Sequence, residues 1–334
     1  MPDMNIHDFL KEAAQRKEKR PLPILSFPAA SKIGVSVGEL VKNSLLQAKA
    51  MEYISKETST LAAISFMDLS VEAEAFGAQV RFSDDEVPVI IGQLVCDMDG
   101  AEALEVPSLE NGRAPIYIES IRLAKERITD KPLIAGMIGP YSLAGRLMDV
   151  TEIMYLCFDE PETVHEVLKK ATQYLISYGG ALKKAGANGI MIAEPLAGIM
   201  NPAMAAEFSV PYVKEIIDAL QDESFAIIYH NCGNAVSEML DEIYSQGAAA
   251  YHFGNAVDME KILDRTPEGI ICMGNIDPVS QFADGTPESM TAAVKELMEK
   301  CGSNPGFIPS SGCDIPSHAN WDNIHAFFNA FEGK

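Results

Sequence analysis

The stretch 188–229, NGIMIAEPLAGIMNPAMAAEFSVPYVKEIIDALQDESFAIIY, decides the fold of this chain. It opens with a short apolar run, continues through a longer segment whose apolar residues have helical spacing, and closes with a second short apolar run. Two buried strands separated by a helix are typical of a parallel pair, because the connection must cross back over the sheet. The stretch therefore predicts an α/β protein with a parallel sheet.

Similar apolar runs recur along the chain, and most are followed by a turn and a helical segment. We count eight predicted strands, at 23–27, 61–66, 132–136, 188–193, 225–229, 248–253, 269–273 and 306–309. The predicted helices that follow them lie at 36–48, 71–76, 116–127, 161–185, 202–220, 236–246, 259–263 and 287–301. Eight such units predict a single (β/α)8 TIM barrel, which forms the catalytic domain over residues 21–334.

Two segments lie outside this repeating pattern. Residues 1–20 are predicted as an N-terminal helical extension, with a helix over roughly 5–19. After Gly77, the stretch 78–91 (AQVRFSDDEVPVII) alternates apolar and polar residues around two aspartates. This alternation predicts a β-hairpin inserted after the second βα unit.

The composition excludes several classes of protein. The 334 residues carry 26 Lys and Arg against 48 Asp and Glu, a formal net charge of −22. Such an acidic chain is a poor partner for phosphate backbones and anionic lipid, so we expect neither nucleic acid nor a membrane as a partner. No window has the roughly 18 uncharged apolar residues of a membrane span, and the charged N-terminus is unlike a signal peptide. We expect a cytoplasmic protein whose six cysteines form no structural disulfides.

A barrel of this kind has its chemistry at the C-terminal ends of the strands. His230 and Cys232 follow the fifth predicted strand two positions apart, so in an extended chain both side chains point to one side, and Cys313 follows the eighth strand. One imidazole and two thiolates match the ligands that zinc prefers, and three protein ligands leave the fourth position open, as in catalytic sites. The alternative is a hydrogen-bonded core histidine with two cysteines that act as small apolar residues.

Five motifs carry a resemblance to a known family. They are GMIGPYSLAGRLM (136–148), EPLAGIMNPAMAAEFSVPYVKEI (194–216), IYHNCGN (228–234), MGNIDP (273–278) and SSGCDIP (310–316). With these motifs the chain resembles the uroporphyrinogen decarboxylase superfamily over nearly its whole length, and within it the zinc-dependent methylcobamide:coenzyme M (thiol) methyltransferases. The resemblance implies that His230, Cys232 and Cys313 hold a catalytic Zn²⁺ ion.

The same resemblance implies a reaction and its partners. A methyl group would pass from a methylated corrinoid, such as methylcobalamin, to a small thiol such as coenzyme M that zinc activates. We expect a separate corrinoid protein as the methyl donor, because a chain filled by one barrel leaves no room for a cobalamin-binding domain.

Two carboxylates are further candidates for the site. The resemblance places Asp68 where the decarboxylases have their catalytic aspartate; here it either orients a substrate or caps the following helix. Glu194, at the end of the fourth strand, is a zinc ligand in the resting enzyme, a hydrogen-bond acceptor for a zinc ligand, or a surface carboxylate. Six residues are weaker candidates for substrate contacts, for support of the metal ligands, or as a cation for an anionic acceptor: Asn231, Asn234, His252, Asp277, Lys32 and Arg146. For the two asparagines the alternative is a hydrogen bond to the backbone of their own loop.

Two other functions stay open. The first is a decarboxylase or another lyase on the same barrel. The decarboxylases resemble one another in an arginine-bearing loop after the first strand, whereas residues 21–80 of this chain contain no arginine. A porphyrinogen with several carboxylates needs cations, so this absence argues against it. The second is a noncatalytic protein that binds corrinoid or metal.

Overall fold

The computed structural model describes residues 5–333 of the chain. Seven parallel strands form one curled sheet, and two antiparallel strands form a separate hairpin. In chain order the strands are β1 (Ala63–Ile64), β2 (Gln79–Arg81), β3 (Val89–Ile91), β4 (Leu133–Ile138), β5 (Gly189–Ala193), β6 (Ala226–Asn231), β7 (Ala250–Phe253), β8 (Cys272–Ile276) and β9 (Phe307–Ser311). The sheet order is β1-β4-β5-β6-β7-β8-β9, so consecutive parallel strands are neighbours. The predicted α/β class with a parallel sheet is confirmed.

Most helices cover the outer side of the sheet, whereas α1 packs against its inner side. Within residues 5–333 they are α1 (Ile6–Gln15), α2 (Ala29–Ile33), α3 (Val37–Leu40), α4 (Ser44–Glu57), α5 (Val71–Ala75), α6 (Met98–Ala103), α7 (Ala114–Arg127), α8 (Pro140–Met148), α9 (Val150–Asp159), α10 (Pro161–Ala185), α11 (Pro202–Phe208), α12 (Val210–Leu220), α13 (Leu240–Ser245), α14 (Met259–Arg265), α15 (Pro287–Cys301) and α16 (Trp321–Glu332). Two 3-10 turns (Leu196–Ile199 and Val236–Glu238) and one π-helical turn (Pro278–Ala283) supplement them. None of these helices is long and apolar enough to cross a membrane.

The predicted first strand, 23–27, is not a strand, so the prediction of eight strands was wrong by one. Pro21 and Pro23 have no amide hydrogen, so neither can donate a hydrogen bond to a neighbouring strand. The chain here is nevertheless bonded to both edges of the sheet: the Leu22 amide donates to the Pro309 carbonyl (2.9 Å), and the Leu61 amide donates to the Pro21 carbonyl (3.0 Å). This segment lies between β9 and β1, in the position that an eighth strand would occupy.

Several helices differ from their predicted limits. The predicted helix 36–48 is divided into α3 and α4, because the Asn43 side chain caps the start of α4 by accepting from two of its amides. The predicted helix 202–220 is divided at Ser209, since Pro211 in the first turn of α12 has no amide to continue the bonding pattern. Helices α2, α6, α8, α9 and α16 had no counterpart among the predictions.

The strand residues alternate between two cores. Ile190 and Ile192 of β5 belong to the cluster between sheet and helices, whereas Met191 belongs to a second cluster inside the curled sheet. Helix α1 contributes to this inner cluster through residues such as Leu10, so the N-terminal helix packs against the inside of the sheet. The stretch 78–91 forms the antiparallel hairpin of β2 and β3.

Candidate metal centre

Three side chains with metal-ligating atoms meet at the C-terminal ends of the strands. Ile228 belongs to the inner cluster, so His230, two residues later in β6, points to the same side. Cys232 directly follows β6, and Cys313 lies two residues after β9. Their ligand atoms all lie within 4.8 Å of one another, and His230 is only 3% exposed. The structure thus brings together the three residues that the sequence predicts as metal ligands.

The spacing and chemistry of these atoms fit a zinc ion. A tetrahedral zinc with Zn–N and Zn–S bonds of about 2.1 and 2.3 Å separates nitrogen from sulfur by about 3.6 Å. The Cys313 Sγ and His230 Nε2 atoms are 3.6 Å apart. One nitrogen and two sulfurs favour zinc over hard cations such as Mg²⁺ and Ca²⁺, which bind oxygen. Within residues 5–333 the group consists of these three residues and includes no carboxylate. A zinc ion held by them would keep one tetrahedral position open.

The two thiols of this group influence each other's ionisation. A hydrogen bond from Cys313 lowers the pKa of Cys232, and His230 adds to this effect. The same contact, together with burial, raises the pKa of Cys313. One thiol therefore ionises readily, whereas the second needs a nearby positive charge, such as a metal ion, to lose its proton at neutral pH.

The loop that carries Cys232 is held in close contact with its neighbours. A Cβ atom on Gly254 would lie 2.6 Å from the Cys232 Cα atom, so only glycine fits there. The Asn231 side chain also holds the loop in place. Its amide nitrogen Nδ2 donates to the Tyr229 hydroxyl (3.0 Å), and its amide oxygen Oδ1 accepts from the Gly233 backbone amide (2.9 Å). Asn231 is fully buried, and its contact with the Gly233 amide is the bonding to loop backbone that was one of its two predicted roles.

A second buried imidazole lies behind His230. Strands β6 and β7 pair with His230 opposite His252, and the two rings have centroids 4.7 Å apart. Their Nδ1 atoms are 2.8 Å apart, and the His252 Nε2 atom is 2.8 Å from the Ser310 Oγ atom. Burial, and next the neighbouring His230, lower the pKa of His252 well below its ordinary value, so this ring is neutral. His252 contacts a candidate metal ligand rather than the open end of the sheet.

Glu194, at the C-terminal end of β5, does not join the ligand group. Its carboxylate accepts from the Tyr141 amide (2.9 Å), the Ser142 amide (3.2 Å) and the Ser142 hydroxyl (3.0 Å), all at the N-terminus of α8. A helix N-terminus stabilises negative charge, whereas burial raises the pKa of Glu194 to about 8 against these bonds. The residue is fully buried, so it is not a surface carboxylate.

Asp68, which follows β1, is paired within the protein on both oxygens. Oδ1 accepts from the Ser70 amide (3.1 Å) and the Ser70 hydroxyl (2.5 Å), while Oδ2 accepts from the Arg113 guanidinium and the Tyr117 hydroxyl (2.6 Å). The same guanidinium lies 4.9 Å from the ring centroid of Phe82 in the hairpin. Asp68 therefore connects the end of β1 to the hairpin and to α7, and neither oxygen is free for a substrate.

The four remaining candidates lie outside the ligand group. Asn234 is exposed in the loop after β6. Asp277 follows β8 and accepts from two amides of the π-helical turn (2.8 and 2.9 Å). Lys32 is exposed, with its Nζ atom 5.4 Å from the ring centroid of Trp321. Arg146 is partly buried on α8, where burial lowers its pKa.

Several residues of these clusters had no predicted role, among them Ser310 and Arg113. Ser310 lies inside the SSGCDIP motif and shares its side of β9 with Ile308 of the inner cluster. That alternation was a usable signal, because it points the Ser310 hydroxyl towards the inner side, as for His230. Arg113 gave no such signal: it precedes α7, 45 residues from Asp68, and nothing local marks it as the partner of that carboxylate.

The chain is similar to known proteins over most of its length. The family model described as Uroporphyrinogen decarboxylase (URO-D) matches residues 10–333. The methylcobamide:CoM methyltransferase MtbA of Methanosarcina acetivorans is 30% identical over 254 residues, which cover 75% of this chain and 73% of that protein. A uroporphyrinogen decarboxylase of Desulfotalea psychrophila is 32% identical over 262 residues, 75% of each chain. A solved structure of a methyltransferase from Methanosarcina mazei, 22% identical, has the same fold, with a TM-score of 0.86 and 99% of both chains covered.

Proposed function

The chain belongs to the uroporphyrinogen decarboxylase family, and we propose that it is a zinc-dependent methyltransferase of that family. Identities of 30% to a methyltransferase and 32% to a decarboxylase do not separate the two activities. The observation that carries the proposal is the meeting of His230, Cys232 and Cys313 at the C-terminal ends of the strands. A nitrogen and two sulfurs with a free fourth position suit the activation of a thiol.

The protein groups of this site determine the charge around the acceptor. When bound, zinc supplies a Lewis acid that keeps a coordinated thiol deprotonated at neutral pH. The thiolates of Cys232 and Cys313 would balance the two positive charges of the ion, and His230 would add a neutral nitrogen. An acceptor thiolate in such a site keeps a net negative charge, which favours its attack on a methyl group.

The methyl donor and the acceptor are part of the same proposal. We propose a methylated corrinoid, presented by a separate corrinoid protein, as donor, and a small thiol such as coenzyme M as acceptor. The name of the MtbA relative states these two substrate classes for that protein. For an acceptor with an anionic end, Lys32 and Arg146 stay the candidate cations.

A decarboxylase is the second candidate, because one relative of comparable identity is a uroporphyrinogen decarboxylase. Asp68 argues against it, since four donors from the protein occupy both of its oxygens. The arginine-free stretch 21–80 argues in the same direction, because a polycarboxylate substrate needs cations nearby.

The test measures zinc content and methyl transfer in the same preparations. Purified protein is mixed anaerobically with free methylcobalamin and a panel of thiols that includes coenzyme M, and the cobalt spectrum is followed. We expect one zinc per chain and thiol-dependent demethylation of the corrinoid. Cys313→Ala should lose both zinc and transfer.

A matched cysteine control separates the ligand from a general effect of removing a thiol. Cys301 is buried on α15, outside the ligand group, so Cys301→Ala should keep normal zinc content and transfer. Full transfer by zinc-free protein, or normal zinc content in Cys313→Ala, would contradict the proposal.

A further inference from the structure

We propose that His252, Ser310 and the Leu22 carbonyl form a directed hydrogen-bond chain that places the His230 proton on Nδ1 and leaves Nε2 free to bind the metal. His252 and Ser310 are thus positioning residues, which act through His230 and touch no substrate. The inference rests on the proposed zinc site.

The Leu22 carbonyl oxygen determines the direction of these hydrogen bonds, because it can accept a hydrogen bond but cannot donate one. The Ser310 hydroxyl lies 2.8 Å from this carbonyl oxygen and has one proton to donate. Within residues 5–333 it is the one hydrogen-bond donor to this carbonyl, and Leu22 is fully buried. A buried carbonyl without a donor is unfavourable, so the hydroxyl proton belongs to this bond.

The next two bonds follow from this one. Because the Ser310 proton is engaged, the 2.8 Å contact between Ser310 Oγ and His252 Nε2 requires a proton on Nε2. His252 is fully buried, and its ring nitrogens contact Ser310 and His230 rather than a carboxylate, so the ring holds this one proton and has only a lone pair on Nδ1. The 2.8 Å contact between the two Nδ1 atoms therefore requires the proton on His230 Nδ1.

The consequence at the metal centre is a defined ligand atom. With its proton on Nδ1, the His230 ring offers the Nε2 lone pair to a metal, and Nε2 is the atom 3.6 Å from Cys313 Sγ. In the opposite direction, Ser310 would donate to His252 and His252 would donate to His230. The Leu22 carbonyl would then have no donor, and the His230 proton would lie on Nε2, where it blocks metal binding. Metal-bound histidines generally depend on such a partner at the second nitrogen for tautomer and orientation.

The Leu22 carbonyl belongs to the segment that replaces the predicted eighth strand. A strand there would use the carbonyl groups facing β9 in ladder bonds, whereas here the Leu22 carbonyl bonds to a side chain of β9. Because strand pairing is absent here, the Leu22 carbonyl is available to accept the hydrogen bond from Ser310.

The experiment determines the tautomers of His230 and His252 by NMR. Zinc-free wild-type protein is labelled with ¹⁵N-histidine, and long-range ¹H–¹⁵N correlation spectra show which ring nitrogen carries the proton. We expect His230 to carry its proton on Nδ1 and His252 on Nε2. In Ser310→Ala the acceptor of the His252 proton is gone, so the His230 signal should shift towards the Nε2-protonated form. Zinc affinity, measured by competition with a chelator, should weaken by roughly 10- to 100-fold.

Ser311→Ala is the matched control, since Ser311 is the next residue of β9, is equally buried, and accepts from the Ile24 amide instead (3.0 Å). Its zinc affinity should stay within about threefold of wild type, because the chain to His230 is intact. An Nε2 proton on His230 in the wild type, or equal loss of zinc affinity in both serine variants, would overturn the inference. Failure of the proposed function is distinct: zinc-loaded wild type would transfer no methyl group, whereas the tautomer would be unchanged.

Discussion

Two polar clusters at the C-terminal ends of the strands differ in how their functional atoms are paired. In the candidate metal centre (His230, Cys232 and Cys313), the potential ligand atoms lie within 4.8 Å of one another. In the Asp68 cluster (Asp68, Ser70, Arg113 and Tyr117), both carboxylate oxygens accept from neighbouring protein groups. Position at a strand end therefore marks a candidate, but the pairing of its atoms decides whether it is available for chemistry. The predictions below test this contrast, from the largest expected effect to the smallest.

The largest effect is expected in the metal centre. Cys232→Ala removes one of three ligands, so zinc is lost and methyl transfer falls by at least about a thousandfold. Asp68→Asn, by contrast, should keep normal zinc content and at least about a tenth of the transfer rate, because protein groups engage both Asp68 oxygens. Metal analysis and the methylcobalamin assay measure both variants. A thousandfold loss in Asp68→Asn with unchanged stability would erase the contrast.

The Asp68 cluster should instead determine stability. Arg113→Met leaves Asp68 buried beside three neutral donors, the Ser70 amide, the Ser70 hydroxyl and the Tyr117 hydroxyl, and unfolding in urea should show a loss of about 3–5 kcal/mol. The control is Arg122→Met, which breaks only exposed ion pairs with Glu119 and Glu126 and should change stability by less than about 1 kcal/mol. Zinc per folded chain should be normal in both. Equal stability of the two variants would show that Asp68 is not held by its partners.

Glu72, which adjoins the Asp68 cluster, gives stability a pH dependence. Burial raises the pKa of Glu72 to about 8; its Oε1 atom accepts from the Ile138 amide (3.1 Å), and its Oε2 atom has no partner within residues 5–333. Between the ordinary pKa of 4.5 and about 8, the unfolded chain is ionised while the folded one keeps its proton, so stability falls as pH rises.

The isosteric variant Glu72→Gln has no proton to lose at this position. From pH 5 to pH 7 the free energy of unfolding of the wild type should fall by about 2–3 kcal/mol relative to Glu72→Gln. Urea unfolding at several pH values measures the difference. Parallel pH profiles for the two proteins would mean that Glu72 is ionised in the folded state.

The smallest effect concerns the loop of the metal centre. Gly254→Ala puts a methyl group 2.6 Å from the Cys232 Cα atom and should displace this ligand, which weakens zinc binding by about tenfold. Gly180→Ala on α10 is the control, because its nearest neighbour would be a leucine methyl group at 3.9 Å. It should leave zinc affinity unchanged and stabilise the helix by about 0.5–1 kcal/mol. Identical zinc affinities in both variants would show that the loop tolerates displacement.

The alternation of apolar runs and helical segments was enough to predict the parallel sheet and most of its strands. It was not enough at 23–27, where an apolar run reads as a strand although nearby prolines prevent a ladder. Apolar content reports burial, and this segment is buried; it does not report which amides pair. For the same reason α3 and α4 were predicted as one helix, although the Asn43 side chain starts a new one.

The candidate ligands were also predictable, because His230 and Cys232 lie at a strand end with same-side spacing and the motifs carry the family resemblance. The family is confirmed by the match over residues 10–333. Glu194 was less predictable: its position resembles that of a ligand, yet the N-terminus of α8 engages its carboxylate. That contact depends on how α8 packs beside β5, which local sequence does not state.

By itself the sequence determined the α/β class, the family, and the three residue types that a zinc ion would need at the strand ends. Only the tertiary structure decided which atoms are available there. Arg113 pairs with Asp68 across 45 residues, and His230 connects through His252 and Ser310 to Leu22, 208 positions earlier. Residue spacing along one strand specifies which side of the sheet a side chain faces. Its hydrogen-bond partners, however, come from segments that become neighbours only in the folded structure.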